Sequence, residues 1–339
     1  MIAPRVVFRA DASHEIGFGH VARICALIEE VAAAGAEPIA LFGGDHEAVT
    51  AWTRDRKIEA RIGDWTPHQV RQVAEEEHAV AVAIDGPYLA ETIAPKLIER
   101  RVRTVVIDDN GGCQLPVAAI VNHNFHAPTL SSTYLARQRL LGRRYLMLRK
   151  GIRRYTRGSC RPMSAERMRV IVTFGGSDPV GATVRTLLTL PAERPLELVV
   201  IAGPGFRGDE ALRDAAEVAV KAGHTVDVRR SPADPGELFV SADAAITSAG
   251  GTLGELAYLG CPALAYAIAA DQVAPARQQL KEGMISGGRE WCEVDDDTLR
   301  GDVEAFLQDD RGRAEQRHRA LATADSDGAR RVVEQALLV

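Results

Sequence analysis

Short, strongly β-branched runs alternate with longer helical patterns along this chain, and the alternation runs through twice. "RVVFRA" (5–10) reads as a strand, the stretch from about Gly19 to Ala34 as a helix closed by Gly35, and "EPIALFGG" (37–44) as the next strand. Strand, crossover helix and strand make a βαβ unit. "AVAVAID" (79–85), a helix across "ETIAPKLIERR" (91–101), "RTVVIDD" (103–109) and a short strand at "AAIVNHN" (118–124) continue the rhythm. Runs apolar on both faces need cover on both faces, which a parallel sheet between helices supplies.

The pattern breaks over residues 150–168, "KGIRRYTRGSCRPMSAERM", where an interdomain linker is expected. The basic run Arg143, Arg144, Arg149, Lys150, Arg153 and Arg154 reads as its solvated approach. The rhythm then restarts with "RVIVTFGG" (169–176), a helix from about Ala182, "ELVVIAGPG" (197–205), a helix over 209–222, "TVDVRR" (225–230), "AAITSAGG" (244–251), a helix over 252–259 and "CPALAYAI" (261–268). Each half opens with a glycine-rich loop after its first strand. The expectation is therefore α/β, with two Rossmann-like domains facing across a cleft. The first spans residues 1–155, the second 165–325, and a terminal helix over 326–339 packs back. Beyond residue 290 the tail reads as amphipathic helices returning across the domains.

Composition narrows the function. A chain of 339 residues with 46% hydrophobic and 26% charged residues can bury two ordinary cores without a disulfide or metal staple. A net charge of −5 argues against a nucleic-acid or anionic-membrane partner. Five cysteines, an odd number and widely spaced, fit reduced thiols. The N-terminus lacks a secretory pattern and no apolar run approaches a membrane span, so the expected location is cytoplasmic. The oligomeric state stays open.

Three loops carry ionisable or glycine-rich signals. "RADASHEIGFGH" (9–20) places His20 in the first turn of a helix, where the dipole lowers an imidazole's pKa and suits a neutral general base. A helix-start histidine without a role is the alternative. Gly17, Gly19 and Ala22 match the G-x-G-x-x-A dinucleotide fingerprint only weakly, and Asp11, Ser13 and Glu15 crowd the loop with polar groups. "TFGGSDPVG" (173–181) pairs Gly175 and Gly176 with Ser177 or Asp178 as a helix cap. "SAGGTLGE" (248–255) forms a small turn at a helix start, through Ser248, Gly250, Gly251 and Thr252, able to cradle a diphosphate. Thr252 and Glu255 fit a capping box; alternatively Glu255 accepts hydrogen bonds from ribose hydroxyls. Asp271 and Gln272 follow the next strand, where a sugar can be held.

"SAGGTLGE…GCP…DQ" resembles the nucleotide-sugar half of GT-B proteins, including the peptidoglycan N-acetylglucosaminyltransferase group. The pattern R-A-D-x-S…I-G-x-G-H-x-x-R, met by Arg9, Ala10, Asp11, Ser13, Ile16, Gly17, Gly19, His20 and Arg23, is narrower. With "GGSD", "IDGPY" (Asp85, Tyr88), "IDD" (Asp108, Asp109), "VNHNFHA" (Asn122, Asn124) and "LLGRRYLMLR", it resembles the UDP-sugar hydrolases of pseudaminic acid biosynthesis and their spore-coat polysaccharide relatives. The likeness runs in order from about residue 5 to 290. It departs at Asp85-Gly86-Pro87, where related hydrolases often carry an Asp–His or similar pair.

The resemblance implies removal of UDP from a UDP-linked diacetamido-trideoxy sugar by water, with inversion and without metal or other cofactor. His20 would orient or deprotonate the water, with Asp11 and Arg9 holding the histidine and sugar. Gly17, Gly19, Arg23, Asp85, Tyr88, Asn122, Asn124, Asp271 and Gln272 would line the sugar. Gly175, Gly176, Ser177, Asp178, Ser248, Gly250, Gly251, Thr252 and Glu255 would take the nucleotide. Backbone N–H groups at Gly250, Gly251 and Thr252 would stabilise charge on the leaving diphosphate. His123 and His126 read as sugar contacts or surface residues and not as metal ligands. A glycosyltransferase using the same donor site, a non-catalytic nucleotide-sugar binding module and a two-domain epimerase remain alternatives.

Overall fold

The computed structural model describes residues 3–161 and 167–339, which separate into two units. The first runs up to Lys150 and takes back the chain's end, Asp325–Val339; the second is Gly151–Ala324.

In the first unit, seven parallel strands lie in the order β3-β2-β1-β4-β5-β6-β7. They are β1 (Arg5–Ala12), β2 (Glu37–Gly44), β3 (Arg61–Ile62), β4 (Ala81–Asp85), β5 (Thr104–Ile107), β6 (Ala119–Asn122) and β7 (Gln138–Leu141). Register pairs Val6 with Pro38 on one side and Ala81 on the other, so the first strand sits in the middle of the sheet. Phe8, Ala10, Ala83 and Ile107 point into a core shared with α1 (Gly19–Ala33), and Val7, Leu41, Ile84 and Val106 into a second core on the other face. The chain's end completes the first of these cores, since Val332, Val333, Ala336 and Leu337 are buried in it.

The second unit repeats the plan in six parallel strands, ordered β10-β9-β8-β11-β12-β13. These are β8 (Arg169–Thr173), β9 (Glu197–Ala202), β10 (Thr225–Arg230), β11 (Ala244–Ser248), β12 (Ala263–Ala267) and β13 (Ser286–Glu290). Both sheets therefore reverse winding direction once, between β1 and β4 and between β8 and β11. In open α/β sheets a ligand sits at the carboxyl ends of the strands flanking such a reversal.

Three expectations are refined here. The basic run is only partly solvated: Arg144, Lys150 and Arg154 are exposed, but Arg143, Arg149 and Arg153 are half-buried, Tyr145–Leu148 among them are buried, and Arg143 lies 5.9 Å from the Phe125 ring centroid. The stretch read as a linker is pinned to the second unit as far as Arg161, through backbone bonds from Gly158 to Tyr258, Cys160 to Leu259 and Arg161 to Val240, while residues 162–166 lie outside the described residues. The capping box at Thr252 and Glu255 does not form. Gly251 already holds helical dihedrals as the N-cap of the helix Thr252–Leu259, which puts Thr252 inside the first turn, and no side chain caps it. No helix among the described residues is long and apolar enough to cross a membrane.

Candidate active site

At the winding reversal of the first sheet, the loop after β1 is tied by Ser13. Its hydroxyl accepts the N–H groups of Glu15 and Ile16, and its carbonyl accepts that of Gly17, whose φ of +75° suits glycine. Tightening the loop starts α1 at Gly19 and presents His20 in the first turn. The next strand across the reversal, β4, ends on Asp85.

The two meet. His20 Nδ1 is 2.7 Å from Asp85 Oδ1. Arg23, one turn further along α1, grips the same carboxylate through Nε to Oδ2 at 2.6 Å and Nη2 to Oδ1 at 2.6 Å. Its other edge holds Asp109, beyond β5, through Nη1 to Oδ1 at 2.7 Å and Nη2 to Oδ2 at 2.6 Å. Asn124, beyond β6, donates Nδ2–H to Asp109 Oδ1 at 2.8 Å. Four neighbouring segments thus contribute to one chain of contacts, His20–Asp85–Arg23–Asp109–Asn124.

The tautomer follows from counting hydrogens. Both Nη2 hydrogens of Arg23 are engaged by carboxylate oxygens, so the 3.0 Å approach of Nη2 to His20 Nδ1 is not a donated bond. An ionised carboxylate 2.7 Å from Nδ1 requires a hydrogen there. In the neutral ring the lone pair therefore sits on Nε2, which has no hydrogen-bond partner among the described residues. The His20 side chain keeps 22% of its surface exposed while Asp85 keeps none.

Charge balance sets the titration. Burial pulls the His20 pKa down, but the Asp85 charge and hydrogen bond, aided by Asp109, outweigh it and raise the pKa above the ordinary value. This reverses the lowering expected from the helix N-terminus, because a buried carboxylate in contact outweighs a partial helix-end charge. Burial opposes ionisation of Asp85 and Asp109, yet Arg23 and the histidines hold Asp85 below, and Asp109 well below, the usual carboxylate range. His123, in the same turn as Asn124, behaves oppositely: burial, with the cations of Arg23 and Arg143, pushes its pKa down to about 4.

Other predicted residues have different placements. Asp11 does not hold His20; it pairs with Arg9, which is buried, and the pair packs where a Gly43 side chain would otherwise stand. Asn122 is fully buried: its amide donates to Tyr134 Oη at 3.0 Å and its carbonyl accepts the Asn124 N–H at 3.0 Å, which shapes the turn carrying Asn124. Tyr134 in turn donates to Asp108 Oδ2 at 2.8 Å. Tyr88 is 74% exposed in the first turn of the helix Pro87–Ile98. Far from being surface residues, His126 is buried and His123 half-buried. Asp109, which the sequence shows only as the second acid of "IDD", joins this cluster from two residues past the strand beside the one that ends on Asp85.

The second unit gathers glycines at its own reversal. Gly175 has φ of +84° and lies where a side chain would be 3.7 Å from Ser248 Oγ, so the loops after β8 and β11 are neighbours. A side chain on Gly203 would stand 2.3 Å from the Gly176 carbonyl, which itself accepts the Gly205 N–H at 2.8 Å. Ser177 is buried, and the Asp178 carboxylate accepts the N–H groups of Ala182 and Thr183, both at 2.8 Å, as a cap. Asp271 and Gln272 lie in the first turn of the helix Ala270–Lys281, and Gln272 Oε1 accepts the Ile268 N–H at 3.1 Å, which brings its amide beside Gly250. Glycine backbone, the buried Ser248 hydroxyl and an uncapped helix start make a surface suited to phosphate oxygens.

Solved structures share this architecture end to end. MurG of Acinetobacter baumannii superposes with a TM-score of 0.71 at 16% identity, covering 99% of this chain and 100% of that one. The chain has the GT-B fold. A UDP-glucosyltransferase from Polygonum tinctorium gives a TM-score of 0.66 at 12% identity, covering 99% and 98% of the two chains. The UDP-GlcNAc 2-epimerase of Neisseria meningitidis gives 0.63 at 10% identity, covering 99% and 100%. At these identities the GT-B likeness concerns fold. No family model matches the sequence. An uncharacterized protein of Methanocaldococcus jannaschii is 23% identical over 273 residues, or 76% of this chain and 54% of that protein, so the chain spans about half the length of the curated relative it matches.

Proposed function

We propose that this chain is a nucleotide-sugar hydrolase. It releases UDP from a UDP-linked diacetamido-deoxy sugar by attack of water at the anomeric carbon, with inversion, in pseudaminic-type or other surface-glycan synthesis. The observation carrying the reading is the His20–Asp85 pair: a buried carboxylate pins Nδ1–H and leaves Nε2 as the basic nitrogen, at the strand ends where α/β sheets take ligands. Nε2 takes the proton of the attacking water as the water oxygen bonds to the anomeric carbon. The carbon–oxygen bond to the diphosphate breaks, its electron pair leaves with UDP, and the free sugar carries the new hydroxyl. UDP is a good leaving group, so the protein's further task is to stabilise diphosphate charge with the N–H groups at Gly250, Gly251 and Thr252. Of the sugar contacts assigned by resemblance, Asn124 joins this network through Asp109 and the exposed Tyr88 follows Asp85 by three residues, while Asp271 and Gln272 lie in the second unit. The UDP-glucosyltransferase and UDP-GlcNAc 2-epimerase likenesses support a UDP-sugar donor.

A second reading, glycosyl transfer to an acceptor alcohol, is favoured by the transferases among the structural neighbours, since water and an alcohol need the same base. Incubation of the purified chain with a panel of UDP-sugars, followed by product NMR, separates the two. UDP release without acceptor is the expected result, and strict dependence on an added acceptor overturns hydrolysis. His20→Ala should retain UDP binding and lose turnover by roughly 10²–10⁴-fold. Unchanged behaviour of that variant would point to a binding module.

A further inference from the structure

We infer that Arg23 is a positioning residue for His20 and not a sugar ligand, and that Asp109 acts on His20 through it. The inference rests on the reading of His20 as the base. Four of the five guanidinium N–H bonds are engaged by two carboxylates in a double fork, which leaves Arg23 little to offer a sugar hydroxyl. What the fork does is mechanical and electrostatic. It holds Asp85 ionised and oriented beneath Nδ1, and it ties that carboxylate to a second one one strand away.

The groups acting on the imidazole are Arg23 from its own helix, Asp85 from the end of β4 and Asp109 from beyond β5, while His123 from beyond β6 lies against Asp109 and Arg23, with Arg143 beside it. With His20 neutral, Asp85, Asp109 and Arg23 carry a net charge of −1; protonating His20 brings the cluster to zero. Asp109 therefore favours the imidazolium and Arg23 opposes it. Removing each should move the imidazole in opposite directions, whereas a pair that only braced the fold, with no field at the ring, would leave the midpoint in place.

The experiment is an NMR pH titration of the His20 ring in the full chain, assigned by the signal missing from His20→Gln. Asp109→Asn keeps the shape and hydrogen-bond acceptor but removes the charge, and should lower the midpoint by on the order of one pH unit. Arg23→Met should raise it by a comparable amount. Arg23→Lys restores the charge without the double fork and should fall between wild type and Arg23→Met. The acid limb of kcat/KM should move with the midpoint in Asp109→Asn. Unchanged midpoints, or shifts in one shared direction, overturn the inference; if Arg23→Met does not fold, Asp109→Asn decides it. UDP release is measured in parallel. An unmoved midpoint with hydrolysis intact defeats this inference alone. Opposite shifts without UDP release from any UDP-sugar uphold it and defeat the hydrolase reading.

Discussion

His20 Nδ1 lies 2.7 Å from Oδ1 of Asp85, 65 residues away in sequence, and this contact turns a helix-start histidine into a group with a defined tautomer. The carboxylate, buried and held in orientation by Arg23, accepts that hydrogen on Oδ1. The basic nitrogen is thereby assigned to Nε2, and the imidazolium is stabilised.

The pH dependence follows with a definite sign. His20 must be neutral to accept a proton, and its pKa is raised from 6.5. We expect kcat/KM to fall as pH drops through a single midpoint above 6.5. Asp85→Asn removes the stabilising charge and moves that limb to lower pH while reducing turnover; a pH–rate profile of the two proteins checks both. For stability the sense is reversed. The folded pKa lies above the unfolded one, so the pair's contribution is full below pH 6.5 and is lost as pH rises through the folded value.

His123 should make the fold acid-sensitive in a separate window. Its pKa falls from 6.5 unfolded to about 4 folded, so its contribution is present above pH 6.5 and disappears as pH falls toward 4. The full effect is up to about 3 kcal/mol, at ~1.36 kcal/mol per pKa unit. Asp85 and Asp109 lose theirs only below the ordinary carboxylate value of 3.8, which keeps the windows apart. Urea midpoints measured across this range should decline in wild type and stay flatter in His123→Asn.

Gly203→Ala tests the second unit. The added methyl would stand 2.3 Å from the Gly176 carbonyl and 2.5 Å from its Cα, so backbone must shift. The turn Gly175–Asp178 moves, and UDP affinity should fall about tenfold, equivalent to ~1.4 kcal/mol. Calorimetric titration with UDP checks this, with the His20 ring signals as a control expected to stay in place.

Leu337→Ala should destabilise the first unit by about 3 kcal/mol, since the side chain is fully buried in a core built around α1 and β1. Denaturant unfolding followed by a probe in each unit should show the loss in the first.

Asp178→Ala removes a carboxylate that accepts two helix N–H groups, at a cost of about 1 kcal/mol. Unfolding of the second unit should report it, and Asp178→Asn should recover most of the loss.

Much of this molecule is legible in one dimension. Buried parallel strands need continuous apolar runs, so "RVVFRA", "AVAVAID", "RVIVTFGG" and "AAITSAGG" announce β1, β4, β8 and β11, and the restart near residue 169 announces the second sheet. Hydrophobic period and glycine punctuation are local properties that survive without a fold. Where burial comes from neighbours, the signal fades. β3 has two residues and β13 reads "SGGRE", with no β-branched residue; both exist because an adjacent strand offers a free edge. The helices His46–Asp55 and Pro67–Glu76 carry ordinary caps at Asp45 and Thr66 but bury few apolar residues, so their hydrophobic pattern is faint in one dimension.

The candidate site divides in the same way. The sequence by itself determined that His20 stands at a strand-to-helix turn and that small residues gather at 248–252, because turn chemistry is local. Only the tertiary structure decided that Asp85, not Asp11, holds His20, that Arg23 binds carboxylates, and that Asn122 is an interior brace for Asn124. Those choices depend on which strand lies beside β1. A sheet that reverses its winding there brings residue 85 against residue 20 and leaves residue 11 facing the strand on the other side, an order that hydrophobic pattern alone does not encode.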